Sequence, residues 1–324
     1  MTGFDVTKKT ILSFSSSNTS FSGCVRNSMV SHFPLSFNSY ILTDNLELWT
    51  EEEFSDNYHK PVLSSTVGQH SFSSCTFTSL TSSDNGGAIY FSSGNSLYIE
   101  SCKFSNCRTS KPFNDWHGGG AVFINCGTLS IISSIFHCCT TSTYGGGVYA
   151  MKISTSSIVL LSSFILCDGD YGGGLMTFWK STSSVFSSRF LLCTVKHAGG
   201  ALYHDSDKQT SYFSLSDSLF ANNSANYSGT RGGGAFEDNR SVTYNSTYSF
   251  CFFRGNNAPN GNGKDISIQD KPITQYSIVH CLTTTTSHSL WNKKYTGFEN
   301  WLPFGNILNL QSQRMKYTHY SESL

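Results

Sequence analysis

One short phrase of small, apolar and polar positions recurs along the middle of the chain. It consists of two glycines, a small residue and a large apolar residue. Its six copies begin at Gly86, Gly119, Gly145, Gly172, Gly199 and Gly233. Successive copies start 26 to 34 residues apart. A short period that varies this little indicates an array of similar structural units.

The last position of this phrase and the residue after it predict the two faces of a strand. The last position is always apolar: Ile89, Val122, Val148, Leu175, Leu202 and Phe236. The next position holds Tyr90, Phe123, Tyr149, Met176, Tyr203 and Glu237. Successive side chains of a strand point to opposite faces. The first series therefore predicts the buried face and the second series the outer face.

A second phrase alternates with the first and consists of an aromatic residue followed three positions later by Cys or Asn. Its copies are Phe104 with Cys107, Phe136 with Cys139, Phe164 with Cys167, Phe190 with Cys193, Phe220 with Asn223 and Phe253 with Asn256, and Ile278 with Cys281 closes the series. Polar connections and the lack of helical periodicity predict three short strands per unit. The aromatic position predicts an interior stack along units about 4.8 Å apart.

These patterns predict an all-β fold, a right-handed parallel β-helix of about eight coils. Right-handed winding is the default for parallel crossovers. The two phrases place the repeat array at residues 71–285. Residues 1–70 are predicted to form an irregular N-terminal coil or cap, and residues 286–324 a C-terminal cap or tail, because terminal repeats are usually atypical.

Composition narrows the class of protein further. Of 324 residues, 38% are hydrophobic and only 13% charged, which excludes a bundle of amphipathic helices with charged outer faces. The formal net charge of zero supplies no attraction for nucleic acid. No stretch approaches the roughly 20 apolar residues of a membrane span, and the first residues lack the apolar core of a signal peptide.

Eight of the eleven cysteines follow the repeat. Five occupy the position three residues after the aromatic residue of the second phrase: Cys107, Cys139, Cys167, Cys193 and Cys281. Three occupy the position two residues before that aromatic residue: Cys75, Cys102 and Cys251. Equivalent slots of stacked units form ladders, so most cysteines are predicted to be small buried packing residues. No Cys-x-x-Cys pair faces a second such pair, so we predict no metal site and no cofactor.

The outer series is the first candidate binding surface. If Tyr90, Phe123, Tyr149 and Tyr203 are exposed, their rings form a flat ribbon able to stack on sugars or to anchor a partner protein. The alternative is that the row supports itself by stacking or is covered by a loop.

Parallel β-helices also include polysaccharide lyases and hydrolases, so an enzyme is the rival hypothesis. Such chemistry requires carboxylates close together beside a base or cation. The best candidates are Asp205, Asp207, Glu237 and Asp238, which adjacent units would bring together. These acids occur in two units only, at different offsets from the glycines, so we predict no catalytic residue and favour a non-enzymatic role.

Asn-x-Ser/Thr sequences mark possible glycosylation sites. They occur at Asn18, Asn222, Asn226, Asn239 and Asn245, and four of the five lie within residues 222–245. If the chain enters a eukaryotic secretory pathway, these sequons predict glycans around one unit of the array.

Together the phrases resemble the repeats of the polymorphic outer-membrane protein family and similar arrays in surface proteins of protozoan parasites. The family's Gly-Gly-Ala-Ile type motif matches the glycine phrases from Gly86 to Gly233. Its Phe-x-x-Asn motif matches Phe220 with Asn223 and Phe253 with Asn256, whereas Cys replaces Asn in four other units. The resemblance covers about residues 71–285 and implies a right-handed parallel β-helix displayed at a cell surface.

The resemblance implies a function as well as a fold. Members often act as adhesins or antigenic passengers. We therefore predict a non-enzymatic, adhesin-like surface or secreted protein that contacts host proteins or glycans through an extended face, with no nucleic acid partner. The sequence leaves the oligomeric state open.

Overall fold

The chain folds as a parallel β-solenoid, which confirms the predicted all-β class. The computed structural model describes residues 10–12, 46–55, 63–65, 68–92, 96–110, 117–125, 127–153, 156–179, 182–206, 212–226, 233–240, 245–259, 264–269, 276–279, 281–283 and 289–290. These residues contain strands and turns and no helix.

Three long sheets run along the stack of coils. Sheet 1 contains Thr10–Leu12, Leu46–Thr50, Gln69–Ser73, Ser96–Glu100, Thr128–Ile132, Ser156–Leu160, Thr182–Phe186, Tyr212–Ser216, Asn245–Ser249 and Tyr276–Val279. Sheet 2 contains Glu53–Ser55, Thr76–Thr78, Lys103–Ser105, Ile135–His137, Ser163–Ile165, Arg189–Leu191, Leu219–Ala221, Phe252–Arg254 and Leu282–Thr283. Sheet 3 contains Leu63–Ser65, Ile89–Phe91, Val122–Ile124, Val148–Ile153, Leu175–Trp179, Leu202–Ser206, Phe236–Arg240, Ile266–Gln269 and Ser289–Leu290.

Shorter strands lie between sheets 2 and 3 in chain order. Thr81–Ser82 pairs with Arg108–Thr109, and Asp168–Tyr171, Thr194–Ala198 and Ser224–Ala225 form a three-stranded sheet. Bridges of Thr140 to Arg108 and to Asp168 connect the two groups into one row. This row forms part of the wall beside sheet 3.

Parallel strand pairing also occurs on both sides of residues 71–285. Leu46–Thr50 pairs in parallel with Gln69–Ser73, so a coil already occupies part of residues 1–70. At the other end, Ser289–Leu290 pairs in parallel with Ile266–Gln269. Among the residues that the structure describes, sheets 2 and 3 each contain nine strands, all paired in parallel, so the coil count differs from the predicted number of about eight.

The predicted buried face is confirmed. The apolar position of the glycine phrase lies in register on successive strands of sheet 3, and Ile89, Val122, Val148, Leu175 and Leu202 are all fully buried. Burying such aliphatic side chains is the main favourable term in folding.

The predicted interior stack of aromatic rings is also confirmed and is the longest repeated contact in the core. Its members are Phe54, Phe77, Phe104, Phe136, Phe164, Phe190, Phe220 and Phe253. Neighbouring ring centroids are 4.5 to 4.9 Å apart, and the rings lie within 14° of parallel. The coil spacing sets this distance, so one residue type fits every coil.

From Phe104 to Phe253, the Cys or Asn three residues after the Phe donates a hydrogen bond to the carbonyl of the stacked Phe in the preceding coil. The thiol of Cys167 donates to the carbonyl of Phe136 at 3.5 Å, and the amide of Asn223 donates to the carbonyl of Phe190 at 3.0 Å. Both side chains are small donors directed at the same carbonyl. This shared role explains why the two residue types alternate in one slot.

The assignment of Cys281 to that slot is wrong. Leu282 lies opposite Phe252, which places Cys281 beside Cys251 in the other cysteine slot. Ile278 lies opposite Tyr248 in sheet 1 and not in the aromatic stack. Without a glycine phrase to fix the register, the spacing alone misassigned this last unit.

The two corners that flank sheet 2 are made by single residues in the left-handed region. The corner before sheet 2 uses Glu51, Ser74, Ser101, Ser133, Leu161, Ser187, Asp217 and Phe250, and the corner after it uses Ser79, Asn106, Cys138, Leu166, Leu192, Asn222 and Gly255. Left-handed conformations cost roughly 1–2 kcal/mol per non-glycine residue. The packing on both sides of each corner must therefore outweigh this cost.

The glycine phrase forms the corner before sheet 3 because the coils leave no room there. Gly145 has a φ of 66°. A Cβ on Gly146 would overlap the carbonyl oxygens of Gly173 and Asp168 and lie 2.7 Å from the carbonyl carbon of Asp168. The first glycine thus supplies the backbone conformation, and the second permits close approach of neighbouring coils.

Candidate functional site

The predicted outer row of sheet 3 is not an exposed ribbon. Tyr90, Phe123, Tyr149, Met176 and Tyr203 lie in register, as predicted. However, Phe123, Tyr149, Met176 and Tyr203 are between 0 and 3% exposed, and only Tyr90 is half-buried. They form a second apolar cluster, separate from the main core. The row therefore lies outside the main core, and of the two alternatives the structure has the covered row and not the exposed ribbon.

The cover comes from the wall beside sheet 3. Tyr144 lies 5.4 Å from Tyr149 between ring centroids, and Tyr171 lies 5.2 Å from Tyr203. Tyr171 also stacks on His197, whose Nδ1 lies 2.9 Å from the Asp170 carboxylate. Tyr144, Tyr171 and His197 are themselves half-buried and cover Tyr149 and Tyr203, so the alternative of a covered row holds.

The hydroxyl of Tyr149 shows how closely this row is enclosed. It is buried and has no hydrogen-bond partner among the described residues. Burial raises the pKa of Tyr149, and the nearby Tyr144 and Asp205 act in the same direction. Its phenol is therefore neutral at physiological pH and enclosed by protein, so it is unsuited to contact a ligand.

The four candidate acids do not form an observed catalytic cluster. Asp205 is half-buried at the strand Leu202–Ser206 and lies opposite Asn239, whereas Asp238 lies opposite His204. Only the backbone is described for Glu237 and Asp238, and Asp207 lies outside the described residues. The paired strands bring the backbone of Asp205 close to those of Glu237 and Asp238, as predicted. The described side chains contain no pair of these carboxylates.

The sequons fall in different environments. Asn222 and Asn226 are exposed on the coil after Leu219–Ala221. The backbones of Asn239 and Asn245 lie in strands of sheets 3 and 1, and Asn18 lies outside the described residues. Asn222 and Asn226 are thus the two whose exposure suits glycan attachment.

The described cysteines are free thiols, and eight of these nine are buried. Cys138 is the half-buried exception, and Cys24 and Cys126 lie outside the described residues. Burial raises the pKa of Cys139 and of Cys193, and contacts with neighbouring thiols add to this effect. The described residues contain no group of three or more potential metal ligands.

An exposed apolar face, which the sequence analysis missed, lies on sheet 2 and its two corners. We define the apolar face by Ile135, Leu161, Ile165, Leu166, Leu191 and Leu192. Four of these side chains are strongly exposed: Ile135 at 42%, Leu161 at 58%, Leu166 at 45% and Leu192 at 46%. Ile165 and Leu191 are half-buried between them. Contiguous exposed patches of this kind mark interaction sites.

The fold explains why these residues lie together. Ile135, Ser163 and Arg189 are aligned on adjacent strands of sheet 2, as are His137, Ile165 and Leu191. Leu161 and Leu166 are the left-handed corner residues before and after the strand Ser163–Ile165. Leu192 is the equivalent of Leu166 in the next coil. The face therefore spans three consecutive coils.

The signal for this face was present in the sequence. In the middle coil, Leu160-Leu161 and Ile165-Leu166 are apolar pairs, although a half-buried strand alternates apolar and polar residues. Each pair marks an apolar side chain directed outward. These pairs depart from the repeat in one coil only, so the repeated columns do not reveal them.

The described residues contain no helix long and apolar enough to cross a membrane. Comparison of the chain with protein-family models, with curated proteins and with solved structures finds no match in any of the three. The resemblance to polymorphic outer-membrane protein repeats thus stays a prediction based on the two phrases.

Proposed function

We propose that the chain is a non-enzymatic binding protein that contacts another protein through its apolar face. The observation that carries this proposal is the exposure of four large aliphatic side chains, 42 to 58% each, on three consecutive coils. Exposing such side chains to water is unfavourable, and a partner that covers them recovers that free energy. The flat sheet and its corners offer an extended contact surface.

The chemistry of the face favours a protein over a glycan as partner. Sugar recognition commonly uses aromatic rings stacked on the apolar side of a pyranose, and protein contacts bury aliphatic groups without that requirement. Of the rings predicted for sugar stacking, Phe123, Tyr149 and Tyr203 are buried, and Tyr90 is half-buried. The six residues of the apolar face are all aliphatic.

To test this contact, we would replace Leu161 and Leu166 with glutamate and add the fluorescently labelled chain to cultured epithelial cells. We expect binding to fall at least about tenfold, because two central contacts worth about 1 kcal/mol or more each are lost. Ser184→Glu, on the outer face of sheet 1, is the matched control and should bind like the unaltered chain. If the double variant binds as strongly as the unaltered chain, the apolar face is not the contact surface.

We also propose that the chain is displayed at a cell surface or secreted. The resemblance of its repeats supports this location, and the exposure of Asn222 and Asn226 is compatible with glycans there. Brief protease treatment of intact source cells should release peptides from residues 71–285. Protection of these peptides until the cells are lysed would contradict the proposed location.

A further inference from the structure

The eight buried cysteines form runs of even length along the stack. We call the position two residues before the stacked Phe the first slot and the position three residues after it the second slot. Cysteine fills the first slot on two pairs of adjacent coils, Cys75 with Cys102 and Cys251 with Cys281. It fills the second slot on four consecutive coils: Cys107, Cys139, Cys167 and Cys193. Every described buried cysteine thus has a cysteine neighbour, and the eight divide completely into pairs.

Packing alone does not require cysteine in the first slot. Serine fills it on the four coils between Cys102 and Cys251, at Ser134, Ser162, Ser188 and Ser218. The hydroxyl of Ser134 donates to the carbonyl of Ile132 at 2.9 Å, and the thiol of Cys102 donates in the same way to the carbonyl of Glu100 at 3.2 Å. Serine lacks only the reactivity of a thiol. The paired occurrence of cysteine therefore indicates chemistry between two sulfur atoms.

Adjacent coils hold each pair at a separation that suits a disulfide. Neighbouring strands lie about 4.8 Å apart, and the Cα atoms of a disulfide are usually about 4.4–6.8 Å apart. The thiols of Cys75 and Cys102 are in contact, as are those of Cys167 and Cys193, and the same holds for the other two pairs. A bond requires each sulfur to turn from its carbonyl acceptor toward the other sulfur, and the two Cβ atoms to approach to about 3.8 Å.

We propose that these cysteines form four disulfides between adjacent coils when the chain folds in the presence of a small-molecule disulfide such as oxidised glutathione. The bonds are Cys75–Cys102, Cys107–Cys139, Cys167–Cys193 and Cys251–Cys281. In each, one protein thiolate attacks the small disulfide and releases one reduced thiol, and the second protein thiolate then displaces the other. Each bond thus takes two electrons and two protons from the protein and reduces one small disulfide to two thiols.

The run of four in the second slot pairs completely in one way only. A bond between the central Cys139 and Cys167 would leave Cys107 and Cys193 three coils apart, at about 14 Å. That separation is beyond the reach of a disulfide. Bonds at the two ends of the run use all four thiols, so we expect those two bonds and not the central one.

Peptide mapping tests this pairing in a full-length chain that carries Cys24→Ser, Cys126→Ser and Cys138→Ser. Only the eight buried cysteines then remain. The reduced chain is refolded in a glutathione redox buffer, and circular dichroism confirms that its β-sheet has formed. It is then unfolded, treated with N-ethylmaleimide, cut with chymotrypsin and analysed by mass spectrometry. We expect no alkylated cysteine and the four proposed links.

The variant Cys75→Ser, Cys102→Ser is the matched control, because serine fills the same slot on the following coils. A disulfide stabilises a fold mainly by restricting the unfolded chain. Without dithiothreitol, the parent chain should therefore unfold at a higher urea concentration than this variant. With dithiothreitol, the two should unfold at the same concentration. A pure packing role would give the same difference with and without the reductant, and that result would contradict the disulfide.

The mapping can also overturn the proposal directly. Alkylation of all eight cysteines after refolding would do so, and so would a link between Cys139 and Cys167 or between cysteines of non-adjacent coils. Disulfides of this kind persist in oxidising compartments, which agrees with the surface or secreted location proposed above. The result does not decide the proposed contact, because cell binding of the Leu161→Glu, Leu166→Glu variant is measured separately.

Discussion

Replacing Gly120 with alanine is expected to destabilise the solenoid by about 3 kcal/mol, because backbone atoms surround the position where the new methyl group would lie. A Cβ on Gly120 would overlap the carbonyl oxygen of Gly146 and lie 2.6 Å from the backbone nitrogen and oxygen of Thr140. These atoms belong to the next coil and cannot rotate away as a side chain can. Relief of the overlap requires separation of the two coils.

Gly169→Ala is the matched control for this prediction. A Cβ on Gly169 would meet its nearest atoms at 3.2 Å or more, at the nitrogen of Gly146 and the carbonyl oxygen of Thr143. We expect its effect to be well below that of Gly120→Ala. Urea denaturation followed by circular dichroism compares the two variants, and similar midpoints would show that the second glycine of the phrase is not needed for close coil packing.

The repeat made the fold predictable because each column of residues performs one physical task in every coil. Phe136 and Phe164 meet the same neighbours, so the sequence repeats the aromatic residue wherever the contact repeats. The same holds for the buried position of the glycine phrase, such as Val148. Many columns that agree are stronger evidence than any single motif.

Coils without the phrases were harder to recognise. Leu63–Ser65 pairs in register with Ile89–Phe91, but no pair of glycines precedes it. Leu46–Thr50 likewise occupies sheet 1 in a region that we predicted to be an irregular coil or cap. Hydrogen bonds between parallel strands tolerate these sequence differences, so the coil persists where its sequence marker has been lost.

The aromatic row shows what strand alternation cannot reveal. Alternation predicts the face of a sheet on which Phe123 or Tyr149 lies, and both do lie outside the main core. It does not reveal whether another segment covers that face. Here the cover depends on Tyr144 and Tyr171, which occupy the neighbouring wall of adjacent coils.

The apolar face was missed for a related reason. A repeat describes what coils share, whereas a binding surface is a property of particular coils. The position of Leu161 is serine in three preceding coils, namely Ser74, Ser101 and Ser133. Serine suffices for the corner in those coils, and Leu161 is exposed, so we propose that the leucine serves a contact outside the coil.

Replacing Phe164 with alanine is expected to destabilise the solenoid by about 3–5 kcal/mol. Phe164 is fully buried, and its ring stacks between those of Phe136 and Phe190 at 4.8 Å on either side. Truncation removes both contacts and leaves a cavity that cannot collapse, because the backbone hydrogen bonds between coils fix their separation. The same change also removes the ring that lies beside Gly147.

Phe54→Ala is the informative comparison, since it changes the same residue type in the same stack. Phe54 is partly buried and stacks on Phe77 alone among the described rings. In a solenoid each coil is stabilised mainly by its neighbours, so a terminal ring should contribute much less than a central one. We expect urea denaturation to show that Phe54→Ala lowers the free energy of unfolding by less than half as much as Phe164→Ala does. Equal losses would mean that the coils unfold as one unit in which position along the stack has no influence.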